Sequence, residues 1–265
     1  MRIANVVLGI GVATASVAFA QAYPEGPFSP SSTIPIAFSK TVDANKAHVG
    51  DIVLARTMQP IQRANGEIIP AGAKVTGHVT AANAFAFNRT PYAIQTASTL
   101  AVHFDLISTA STSYPLNVYV RAMADPINSW DARKPKPSDE DEDGTLTQVG
   151  GELFKPHQGE VINTDEDVVG YSRHGNIVAH LIASQGNSPS GCGSGTTEQP
   201  VAIFSANACG LYGFSGTNLV SSGRSEDAST VTLSARRNAA VISKNTTALL
   251  EVLPDRLSND SLHGQ

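Results

Sequence analysis

The sequence predicts an all-β fold, read as a single β-barrel-like or β-sandwich domain with an acidic loop insertion. Three observations carry that expectation. Apolar residues recur at every second position in short runs, Gly, Pro, Asn and Ser punctuate those runs, and no window of 12 residues keeps a helical period. Composition agrees: charged residues make up 15% of the 265-residue chain, against about 25% in an average soluble domain. Helices built on Glu–Lys pairs are therefore not what the chain encodes. A net charge of −5 supplies no basic field to hold nucleic acid or an anionic membrane.

Taken in order, residues 1–20 read as a cleavable signal peptide. Arg2 precedes an uncharged stretch that ends in the small residues Ala18 and Ala20, which suit a signal peptidase cutting after Ala20. Gly9, Gly11, Thr14 and Ser16 dilute that stretch below the about 20 apolar residues that span a bilayer, so no transmembrane helix is expected after cleavage. The expected location is extracytoplasmic, periplasmic or secreted. Residues 21–33, rich in Pro and Ser, form an extended lead-in.

A β-barrel-like domain is expected over 34–253. Its strands begin with the alternating sets Ile34, Ile36, Phe38, then Ile52, Leu54, then Val75, Gly77, Val79. They continue with Leu100, Val102, Phe104, Leu106 and with Leu116, Val118, Val120. Alternation fails over about 126–167, where Lys134-Pro135-Lys136-Pro137 and an acidic run suggest a flexible insertion. It resumes at 176–183, 201–204, 229–234 and 247–253, and a polar, disordered tail is expected over 254–265.

Four groups of residues could carry chemistry. Cys192 and Cys209 form an even pair that an oxidising compartment favours as a disulfide, because two thiolates alone do not complete a zinc shell. Asp139, Asp141 and Asp143 precede Gly144 with the spacing of a calcium loop, although Gly150 stands where that loop needs Glu. His78, His103 and Asp105 would share a sheet face if their strands paired, which could place two imidazoles and a carboxylate around a transition metal. Ser172 and His174 lie in Gly170-Tyr171-Ser172-Arg173-His174-Gly175, which has one residue too many for a nucleophile elbow.

Val49-Gly50-Asp51-Ile52-Val53-Leu54-Ala55-Arg56, Ile68-Ile69-Pro70-Ala71-Gly72-Ala73-Lys74-Val75-Thr76-Gly77-His78-Val79 and Leu100-Ala101-Val102-His103-Phe104-Asp105-Leu106-Ile107 together resemble the frame of VirB10/TrbI-like β-barrels. The resemblance covers about residues 34–120 and 229–253. It implies a barrel in the cell envelope, with Pro70-Ala71-Gly72 turning the chain and Gly77 letting neighbouring strands approach. The rest resembles uncharacterised exported bacterial proteins.

The function expected is therefore an exported, non-catalytic envelope protein, a binding or structural module whose partner is an envelope protein or a small ligand, not nucleic acid. The alternatives are a secreted hydrolase or metal-dependent enzyme, and a calcium-stabilised adhesin-like module. No cofactor is expected unless the acidic loop binds calcium.

Overall fold

A computed structural model describes residues 26–91, 94–133, 144–224 and 227–254. The signal-peptide segment, the calcium candidates Asp139, Asp141 and Asp143, and the tail beyond Pro254 lie outside these residues. The chain opens with β1 (Thr33–Phe38), β2 (Val42–Asp43), β3 (Ile52–Thr57), β4 (Ile61–Gln62), β5 (Ile68–Ile69), β6 (Lys74–Asn83), β7 (Ser98–Ser108), β8 (Ser113–Pro115) and β9 (Val118–Ala124). The helix α1 (Pro126–Asp131) follows. Next come β10 (Leu146–Thr147), β11 (Leu153–Lys155), β12 (Glu160–Ile162), β13 (Val168–Arg173), β14 (Asn176–His180) and β15 (Glu198–Pro200). The chain ends with β16 (Gly210–Tyr212), β17 (Thr217–Ser221), β18 (Thr230–Ala235), β19 (Val241–Ile242) and β20 (Thr247–Val252).

The larger sheet runs β16-β9-β20-β1-β3-β6-β7-β18-β17, with β8 added on β7. It curls into a nearly closed barrel. Val120 N–H donates to the Ser222 carbonyl at 2.8 Å and Ser229 N–H to that of Val118 at 2.7 Å, which stitches β9 to the chain flanking β18. Ring closure of this kind removes open strand edges. Ile34, Ile36, Phe38, Val79, Val102 and Phe104 face inward and fill the barrel with a continuous apolar core. At about 25 cal/mol per Å² of apolar surface withdrawn from water, that filling drives closure. Gly77 allows a close approach of β6 and β7, since a Cβ there would lie 2.2 Å from the His103 carbonyl oxygen. In β3 the inward residues are Val53 and Ala55, and Ile52 is 68% exposed, opposite to the face its apolar character suggests.

Of the four register shifts in this sheet, two re-aim charged residues. Opposite β6, the pairing passes from Gly77↔Phe104 to Thr76↔Leu106 and leaves Asp105 without a partner position. Opposite β20, it passes from Leu249↔Ala122 to Leu250↔Val120 and skips Arg121. An extra residue of this kind bends the strand and re-aims its side chain. Inward alternation therefore shifts from Phe104 to Ile107, and Leu106 is left 37% exposed.

The second sheet is an antiparallel meander in chain order, β10-β11-β12-β13-β14-β15. This corrects the open insertion expected over 126–167: its described residues supply α1 and β10 to β12. Asp125 caps α1 by accepting from Asn128 N–H at 2.8 Å, and Pro126 opens the helix. The strands β11 and β12 are three residues long and bury Phe154 and Val161 at their centres, too briefly for alternation to register. The strand expected over 201–204 is also displaced. The strand β15 stops at Pro200, Ala202 turns at φ +48, and Val201, Ile203 and Phe204 enter the core from that turn.

The second sheet packs on the outer face of β9 and β20 of the larger one, strands whose residues are all buried. On one face Val118, Val120, Met123, Ala248 and Leu250 belong to the barrel core. On the other, Ala122, Ala124 and Leu249 pack with Val149, Phe154, Ile177 and Phe204. Arg121 emerges into this seam fully buried. Its guanidinium donates to the carbonyls of Gly193 (2.6 Å), Ile182 (2.7 Å) and Ala206 (3.1 Å) and to Glu251 Oε2 (3.1 Å). The Tyr119 hydroxyl donates to the same carboxylate oxygen. Burial, then the Glu251 charge, pushes the phenol upward, so it stays a donor. Arg224 lies 4.5 Å over the Tyr119 ring. Arg121→Met would strand the buried Glu251 carboxylate, and urea unfolding should show a loss of about 3–5 kcal/mol. A loss under about 1 kcal/mol would mean that the network does not hold the seam.

Candidate functional site

Three of the residues singled out from sequence meet on the outside of the barrel. Pairing places Ile52 opposite His78, His78 opposite His103, and His103 opposite Thr230, a row that crosses β3, β6, β7 and β18. The bulge brings Asp105 into this row. His78 Nδ1 lies 3.0 Å from both Asp105 carboxylate oxygens, His103 Nδ1 lies 2.9 Å from Thr230 Oγ1, and His103 Nε2 lies 3.9 Å from Asp105 Oδ1. Burial lowers the His103 pKa; Asp105 opposes that shift and His78 adds to it. The convergence expected from face parity is present. The form differs from a metal shell, because protein partners engage Nδ1 of both rings. Among the described residues no group of three or more His, Cys, Asp or Glu is placed to hold a metal ion.

Cys192 and Cys209 are joined by a disulfide with their Cα atoms 5.8 Å apart. The bridge closes the loop that supplies two of the three carbonyls gripping Arg121, those of Gly193 and Ala206, so it fixes the far wall of the seam. Ser172 lies on β13 and is followed by a hairpin instead of a helix. His174 and Gly175 form the two-residue turn at φ +53 and +78, the signs of a type I′ turn, so the elbow geometry of a hydrolase nucleophile is not built there.

A cleft of about 180 Å³ opens where the barrel meets the second sheet. Met58 and Gln59 line it from the segment after β3, Phe154 and Ile177 from the second sheet, and Ile203 from the turn after β15. Gln59 pins the two sides together: its Nε2 donates to the Ile177 carbonyl at 3.1 Å and its Oε1 accepts from Ala202 N–H at 2.7 Å. Gln148, 5% exposed, donates from Nε2 to the Ala202 carbonyl at 3.4 Å, and its Oε1 is buried with no hydrogen-bond partner. Among the described residues no charged side chain lines the cleft.

Behind it, Glu152 braces the loop leading to Cys209. Its Oε2 accepts from Ala206 N–H at 2.7 Å and its own N–H donates to Ser205 Oγ at 3.0 Å. Burial raises its carboxyl pKa, and the Ala206 and Asn207 backbone amides partly offset that rise.

Gln59, Gln148 and Glu152 were not among the residues that the sequence singled out. Gln148 and Glu152 sit inside the stretch read as an open loop, and a glutamine after a strand carries no motif. The one available signal is the flanking Leu146, Val149 and Phe154, a cluster too sparse to mark a strand. Comparison with known proteins found no matching family model, no matching curated protein and no matching solved structure.

The histidine row carries a pH dependence. The folded pKa of His103 lies below the ordinary value of 6.5, so on acidification the unfolded chain takes up this proton first. Stability from His103 is complete above about pH 6.5, falls as pH drops towards the folded pKa, and changes no further below it. His103→Gln should therefore flatten the dependence of the urea midpoint on pH between about 7 and 5. An unchanged slope would remove His103 as its source.

Proposed function

We propose that the protein is an exported, non-catalytic binding module of the bacterial cell envelope, and that its ligand site is the cleft at the seam. The cleft itself is the observation that carries this reading: two packed sheets meet around a hollow whose mainly apolar wall also presents Gln59, Gln148, Ser172 and Asn176, the usual form of a small-ligand site. Its walls are preorganised by the Gln59 hydrogen bonds, the Arg121 clamp and the disulfide. Preorganisation lowers the ordering cost of binding.

Export is supported by the disulfide, a bond that persists outside the reducing cytosol. Among the described residues no helix is long and apolar enough to cross a membrane. The residues that carry the resemblance to VirB10/TrbI-like barrels form β3, β6 and β7, and the resemblance favours an envelope setting.

Two measurements test the proposal. A reporter that folds only outside the cytoplasm, fused behind residues 1–30, should be active; an inactive fusion would count against export. Toluene titrated into protein labelled at the isoleucine methyl groups should shift Ile177 and Ile203, and Ala132→Phe, which fills the cleft wall, should abolish the shifts. Perturbation confined to other isoleucines would move the ligand site elsewhere.

A further inference from the structure

We infer that the cleft takes one neutral aromatic ring bearing a single hydrogen-bond donor, a phenol or an indole, whose O–H or N–H donates to Gln148 Oε1. This rests on the cleft being the ligand site.

Size sets the first limit. A cleft of about 180 Å³ is slightly larger than an apolar cavity of about 150 Å³ that holds benzene, so it admits one ring and not a fused polycycle. Wall chemistry sets the second. Phe154, Ile177, Ile203 and Met58 offer apolar and aromatic surface suited to a ring face or edge. Among the described residues no Asp, Glu, Lys, Arg or His lines the space, so a carboxylate or ammonium would find no counter-charge on these walls, which is strongly unfavourable.

Hydrogen bonding sets the third limit, and it is the most selective. Gln59 has committed its Nε2 to Ile177 and its Oε1 to Ala202, so it has no obligation left to fill. Gln148 differs. The Ala202 carbonyl can only accept, which forces the amide nitrogen of Gln148 to face it and fixes Oε1 as the free end. That oxygen is buried and unpartnered. A buried acceptor without a donor is unfavourable, and a ligand that brings one donor removes the deficit. A purely apolar ring would leave Oε1 unsatisfied, and Ser172 and Asn176 supply the remaining polar side chains of the wall beside the two glutamines.

The same ring chemistry could arrive on a free small molecule or as the Tyr or Trp side chain of a peptide. The test compares phenol with toluene by calorimetric or NMR titration of the disulfide-intact protein, in the unsubstituted chain, in Gln148→Leu and in Gln148→Met, with thermal unfolding as the check that each variant is folded. The expected result is a fall of about tenfold in phenol affinity relative to toluene in both variants, with toluene affinity little changed. Competition by N-acetyl-tyrosinamide against phenol would assign a peptide-borne ring, and binding of phenol without such competition a free small molecule; either outcome keeps the proposal.

An unchanged phenol-to-toluene ratio in both folded variants would overturn the donor to Gln148 while leaving the cleft as a ligand site. No binding of either compound would overturn both.

Discussion

Arg121 is the side chain through which the two sheets act as one body. A buried guanidinium is costly unless its charge and most of its donors are met, and here the two terminal nitrogens, though not Nε, find partners from widely separated parts of the chain: Glu251 on the last strand, the Ile182 carbonyl after β14, and the carbonyls of Gly193 and Ala206 on the disulfide-closed loop. The carbonyls alone would leave the positive charge uncompensated, and Glu251 alone would leave the loop untethered. Because a half-satisfied buried network is worse than an apolar one, the loop is held in one position relative to the barrel. The disulfide narrows that loop's freedom further by tying Cys192 to Cys209.

Arg121 reaches the seam because of a bulge. Without the extra residue in β9, strict alternation could not put both Arg121 and Ala122 on the outer face while keeping Val120 and Met123 in the barrel core. The same device in β7 brings Asp105 beside His78. Both bulges release a charged residue from the ladder and hand it to a polar cluster outside the barrel. One cluster is buried and joins two sheets; the other is half-exposed and titrates.

The cleft is a by-product of the seam. Sheets that pack across one pair of strands diverge away from them, and the gap between β3's following segment and the β13–β14 hairpin is filled only partly by Gln59 and Gln148. Rigidity made for stability then serves recognition, since walls fixed by Gln59 and by the Glu152-braced loop do not close on an empty space. The polar side chains that line the cleft, three amides and the Ser172 hydroxyl, are uncharged, so they hold geometry without imposing charge.

By itself, the sequence determined the all-β class, the long barrel strands and the disulfide partners. Each is written in local terms: Ile34, Ile36 and Phe38 alternate over a full strand, and two cysteines in an oxidised chain have only each other. It also determined that His78, His103 and Asp105 could share a face, because side-chain direction in a strand follows from position parity. The tertiary structure decided the rest. The second sheet is built from strands such as β11 and β12 that are too short to show a period, so its residues read as an open loop. The outward faces of β9 and β20 became core only because that sheet covers them. Bulges shift parity by one residue without a signature in composition, which is why Leu106 lies outside and Ile107 inside. Gln148 acquired a meaning only when the Ala202 carbonyl, 54 positions further along the chain, fixed which end of its amide was free.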